Sequence, residues 1–111
     1  MDITKEIKAW NMTSNNGNVV PNQIIIEDKK SNEIIFQSYG TTIAKKITNN
    51  NISNIVLDEN YWDYSRTTLK YLTKFIFDFM HIATNTKEIR KHIKDGNIKL
   101  SNFIGKNAHS D

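Results

Sequence analysis

Two periodicities divide the chain. Up to Leu57 apolar residues come in short runs bounded by turn-forming residues, whereas from Leu69 onward they recur every three or four positions. The first pattern predicts strands. Residues 2–10 form a first strand ending at Trp10, and Asn16-Gly17 marks a turn after it. A second strand runs through Gln23-Ile24-Ile25-Ile26-Glu27, with Pro21 at its entrance, where a missing N–H costs least. Asp28 to Asn32 turns the chain into a third strand over residues 33–39, an arrangement expected of an antiparallel hairpin. Gly40 marks a bulge or corner, after which Thr42 to Ile47 continues as strand. Asn49-Asn50-Asn51 is a turn, and Ile52 to Leu57 completes the run.

The second pattern predicts helices. Leu69, Leu72, Phe75, Ile76, Phe79 and Met80 share one helical face, widened by Tyr71 and Phe77. Asp63 or Ser65 caps the helix start, an interaction worth about 1 kcal/mol. Asn85-Thr86-Lys87-Glu88 reads as a capping box opening a shorter helix, with Ile89 and Ile93 as its buried pair and Gly96 closing it. Asn97 to Leu100 can add a last short strand. Strands first and helices afterwards predict an α+β fold: an antiparallel sheet of four to five strands with two C-terminal helices packed on one face.

Length bounds this to a single domain, expected over residues 1–105, with 106–111 as a flexible tail. A chain of 111 residues buries roughly 65% of the surface it exposes when unfolded. There is no cysteine, which excludes disulfides, thiolate metal sites and a cysteine nucleophile. The start, Met1 to Glu6, lacks the apolar segment of a signal peptide, and no apolar run reaches the roughly 18 residues of a membrane span. A cytoplasmic location with no membrane partner is the expectation. The net charge of +3 is spread along the chain, and lysine far outnumbers arginine, a bias that AT-rich coding produces.

Candidate chemistry is sparse. His81, His92 and His109 have no metal-site spacing, so no metal and no cofactor are expected. Ser65, Thr67 and Thr68 are explained as helix-start residues, no glycine-rich phosphate loop occurs, and no catalytic residue is assigned. The densest feature is Tyr61-Trp62-Asp63-Tyr64 with Arg66 one turn on. Buried, Trp62 and one tyrosine plug the end of the sheet. A large aromatic removes about 150–250 Å² from water, on the order of 4–6 kcal/mol of gross stabilisation. Exposed, the same residue types form the anchors of protein interfaces. Arg66 is expected to pair with Asp58, Glu59 or Asp63, or to serve a partner. A second candidate surface is basic: Lys45, Lys46, Lys70, Lys74, Lys87, Arg90, Lys91 and Lys94 form a nucleic-acid-binding side if the helices present them together.

Phe36-Gln37-Ser38-Tyr39, then Leu57 to Ser65 with its Tyr-Trp-Asp-Tyr-Ser core, then Thr67-Thr68 and Lys70-Tyr71-Leu72, resemble a family of small uncharacterised proteins. These are carried by phages, prophages and plasmids of low-GC bacteria. Thr42 to Ala44, Asn18 to Glu27, Thr86 to Ile89, Ile93 to Gly96 and Leu100 extend the likeness over nearly the whole chain, while Thr73 to Met80 departs from it as a longer apolar helix. The resemblance implies a mobile-element origin and brings no catalytic residues.

These readings lead to an expected non-enzymatic accessory protein in a bacterial host cell. It would bind a host or defence protein stoichiometrically, for example as an inhibitor of a CRISPR effector, through Tyr61, Trp62, Asp63, Tyr64 and Arg66. The alternatives are a nucleic-acid module using the lysine-bearing helix faces, and a self-associating homodimer that buries Phe75, Phe77, Phe79 and Met80 between copies.

Overall fold

A computed structural model describes residues 6–103. The expected 106–111 tail, His109 and residues 2–5 of the expected first strand lie outside the described residues. The elements run β1 (Ile7–Thr13), β2 (Val19–Asp28), β3 (Glu33–Ser38), β4 (Thr41–Asn49), β5 (Ile52–Asp58), α1 (Arg66–Met80), α2 (Thr86–Lys94) and β6 (Ile98–Ser101).

The α+β class holds, but the sheet has six strands in the order β1-β2-β3-β4-β5-β6, and its last pair, β5 and β6, is parallel. The reason is the length of each connection. Tight turns return the chain antiparallel through β5, as the Asn50 and Asn51 pair does with both residues at positive φ. Between β5 and β6 stand both helices, long enough for the crossover that a parallel neighbour needs. The helices are therefore an insertion before the final strand instead of a C-terminal pair.

Local chemistry corrects three boundaries. β1 continues past Trp10 to Thr13, which pairs with Val19. Pro21 lies inside β2, where the register between β1 and β2 shifts, so its missing N–H breaks no ladder bond there. Tyr39 and Gly40, at φ 52° and 79°, form a two-residue hairpin turn and reverse the chain. The bulge comes later, at Ile43, between the Phe36–Ala44 and Gln37–Thr42 pairs.

Cross-strand neighbours share a face. One row, Ile25, Phe36, Ala44 and Leu57, is buried, and the next, with Ile55 and Ile98, lies on the same side. Leu72, Phe75 and Ile76 of α1 and Ile89 of α2 close over these residues in one core, so both helices cover this face. Phe75 stacks on Phe36 at 5.8 Å. α1 lies over β3 and β4, and α2 packs beside β6. The opposite face carries another row crossing all six strands: Ala9, Ile26, Ile35, Lys45, Val56 and Lys99.

Candidate functional site

The link from β5 to α1 is built around Asp58. Its carboxylate is fully buried: Oδ2 accepts from the backbone N–H groups of Asn60 (3.1 Å) and Tyr61 (2.9 Å), and Oδ1 from that of Phe103 (3.0 Å). Glu59 N–H donates to Ser101 O at 2.9 Å, so the loop is tied to the end of β6 as well. A carboxylate that satisfies three backbone donors fixes where the aromatic cluster begins.

That cluster divides. Trp62 is 6% exposed, whereas Tyr61 and Tyr64 are 38% and 48% exposed. Arg90 of α2 lies over the Trp62 ring at 4.9 Å and reaches Asp63 Oδ2 at 3.5 Å. Trp62 and Asp63 are thus engaged within the molecule, and the partner of Asp63 is Arg90 instead of Arg66. Tyr61 and Tyr64 meet edge to face, ring centres 5.8 Å apart, on the surface.

Ser65 caps α1, its hydroxyl accepting from Thr68 N–H at 3.1 Å; Asp63, the other candidate cap, is occupied by Arg90. The Thr68 hydroxyl is 2.8 Å from that of Ser38, both fully buried, which anchors the helix start to β3. Nearby in register, Gln23 pairs with Ser38 across β2 and β3. Its amide nitrogen and oxygen are buried and meet no hydrogen-bond partner among the described residues.

Arg66, which opens α1, is exposed and lines a groove of about 770 Å³. α1 forms the floor with Arg66, Leu69, Lys70 and Phe77; Ser14 and Asn15 of the β1–β2 turn and Thr84 to Thr86 ahead of α2 contribute its other walls. Lys74 also borders it while donating to Thr13 O at 2.5 Å. Along the helix the lining mixes Leu69, Tyr71 and Phe77 with the cations Arg66, Lys70 and Lys74, and Asp78 is its one acid. Sequence reading missed this groove, because the β1–β2 turn lies far from α1 in the chain.

The Asn85 cap forms as read, accepting from Glu88 N–H at 2.9 Å. The return bond lands one residue earlier than a capping box requires: Glu88 Oε1 accepts from Thr84 N–H and Thr84 hydroxyl, both at 2.7 Å. These two bonds hold the Glu88 carboxyl below its ordinary 4.5, with smaller help from His92 and the Asn85 N–H. His92 Nε2 lies 2.9 Å from Ile82 O, which can only accept, so that nitrogen carries the proton.

The eight cations of the second candidate surface are dispersed. Lys45 and Lys46 alternate across β4, so Lys45 lies on the face away from the helices and Lys46 reaches Phe79 O at 3.1 Å beneath α1. Lys70 and Lys74 belong to the groove, Arg90 to Trp62 and Asp63, and Lys87, Lys91 and Lys94 are exposed on α2. Of the apolar residues assigned to a homodimer, Phe75 is core, Phe79 and Met80 pack against it, and Phe77 is exposed. Among the described residues no cluster of three or more side chains has metal-ligating character, and no helix is long and apolar enough to cross a membrane.

No curated protein and no solved structure matches this chain. A family match covers residues 7–96, from the start of β1 to the glycine that ends α2. The chain belongs to that family, a family of unknown function designated DUF8033.

Proposed function

We propose that the protein is a non-enzymatic binding module that grips an acidic, partly apolar segment of another protein along the α1 groove and the adjoining Tyr61–Tyr64 pair. The observation that carries this reading is the division of the aromatic cluster. Trp62 is buried beneath Arg90, which also pairs with the exposed Asp63, and this leaves Tyr61 and Tyr64 exposed just ahead of Arg66, which lines the groove with Leu69, Lys70 and Phe77. Tyrosine and arginine are the residue types that anchor interfaces, and Leu69 and Phe77 offer the apolar contact such anchors need. A nucleic-acid backbone asks instead for cations along one continuous surface, and here Lys45, Lys46 and Arg90 are directed elsewhere. The mobile-element setting implied by the resemblance makes a host defence protein, CRISPR effectors included, the class of partner proposed.

The test is retention from a bacterial lysate on immobilised protein, compared with Arg66→Glu and Tyr64→Ala. A single protein retained near equal stoichiometry by the wild type and lost by both variants, whose melting temperatures stay unchanged, supports the reading. Equal retention by all three, or recovery of nucleic acid in place of protein, contradicts it.

A further inference from the structure

Among the described residues, six other than glycine have a positive φ. Four are asparagines, Asn22, Asn32, Asn50 and Asn51, and a fifth is His81, which ends α1 in the left-handed conformation. Asparagine and histidine enter that region more readily than most residues with a Cβ. The sixth is Tyr39, at φ 52° in the first position of the β3–β4 turn, where asparagine before glycine is the favoured pair. A bulky side chain at that position is an outlier that lowers stability. Nothing within the molecule offsets it. Tyr39 is 55% exposed, and among the described residues its ring stacks on no other and its hydroxyl has no hydrogen-bond partner. Its backbone alone is engaged, the N–H donating to Asn22 O at 2.8 Å.

The turn lies at the end of the sheet where α1 starts. β3 and β5 run in the same direction, so the strands that precede Tyr39 and Tyr61 end on one margin, two inter-strand spacings or about 10 Å apart. Ser38, next to Tyr39, has its hydroxyl 2.8 Å from that of Thr68 in the first turn of α1. That bond keeps the Tyr39 backbone within about 12 Å of the helix start. Asn22, Gly40 and Thr41, which adjoin Tyr39, are uncharged, whereas Arg66 and Lys70 line the groove along the helix. Acidic groups of a partner are therefore drawn to the helix, and an apolar group to the turn.

We propose that Tyr39 is a third tyrosine of the partner-binding surface, held in an unfavourable backbone conformation that presents its ring to an apolar side chain flanking the partner's acidic segment. The inference rests on the groove reading above and extends that surface from the start of α1 to the β3–β4 turn.

Two measurements on the full chain, with Tyr39→Asn and Tyr39→Phe, test it. Asparagine suits the turn, so Tyr39→Asn is expected to raise the melting temperature by about 4 °C or more, while Tyr39→Phe leaves it near the wild type. In calorimetry with the purified protein that the wild type retains from lysate, Tyr39→Asn is expected to weaken binding by about tenfold or more. Tyr39→Phe, which keeps the ring, is expected to weaken it by less than about threefold. A more stable Tyr39→Asn variant that binds as tightly as the wild type overturns the inference and leaves the groove reading standing. A lower melting temperature for Tyr39→Asn also overturns it, since the ring would then serve the fold. A wild type that retains no protein removes the groove reading and this inference together.

Discussion

Arg90 and Trp62, 28 residues apart in sequence, meet with the guanidinium 4.9 Å from the ring centre, and this contact joins the β5–α1 loop to α2. It converts an aromatic cluster into an inner half that holds the fold and an outer half that is available. Trp62→Ala empties a buried site and is expected to cost about 3–5 kcal/mol. Arg90→Ala removes a largely exposed stacking cation together with its exposed pair to Asp63 and is expected to cost about 0.5–1 kcal/mol. Chemical denaturation of both variants measures the difference; equal losses would refute the inward assignment.

The two tryptophans report separately, Trp10 being 43% exposed and Trp62 6%. In a Trp10→Phe background the remaining emission is expected to be blue-shifted and resistant to iodide quenching. A readily quenched signal would place Trp62 on the surface.

Gln23 predicts an unusual gain. Its buried amide has no hydrogen-bond partner among the described residues, so an apolar residue of similar volume removes a desolvation cost without breaking a bond. Gln23→Met is expected to leave stability unchanged or raise it by about 1 kcal/mol. Ser38→Ala, by contrast, breaks the buried Ser38–Thr68 bond, leaves the Thr68 hydroxyl only its bond from Ser65 at 3.0 Å, and is expected to lose about 1 kcal/mol. Melting curves of the two decide.

Much of the fold was legible in the residues. The change of period between Leu57 and Leu69, the paired asparagines before β5 and the Asn85 cap each act through neighbours in sequence, so local chemistry sufficed. What escaped depended on distant pairs. Nothing near Asp58 announces that Phe103 will donate to it, and nothing near Asp63 singles out Arg90 over the closer Arg66. The parallel docking of β6 beside β5 is equally non-local, because a four-residue strand carries no signal for its neighbour's direction. The groove was invisible for the same reason, its walls coming from three separated segments.

Glu88 gives a pH dependence with a definite sign. Its pKa is depressed in the folded state by the Thr84 N–H and hydroxyl, so its stabilising share is present above pH 4.5 and is lost as pH falls below that value. Wild type and Glu88→Gln are expected to converge in melting temperature as pH drops through that range, and to differ most near neutrality. A constant gap across pH would show that the carboxylate charge plays no part.

The outward Tyr61–Tyr64–Arg66 face and its groove, as opposed to the dispersed lysines, carry binding in this account, and titration calorimetry with the retained partner tests that most directly. Arg66→Glu is predicted to weaken affinity by about tenfold or more, and a combined Lys87→Glu, Lys91→Glu, Lys94→Glu variant by less than about threefold. The reverse order, with the α2 lysines dominant and Arg66 indifferent, would contradict it.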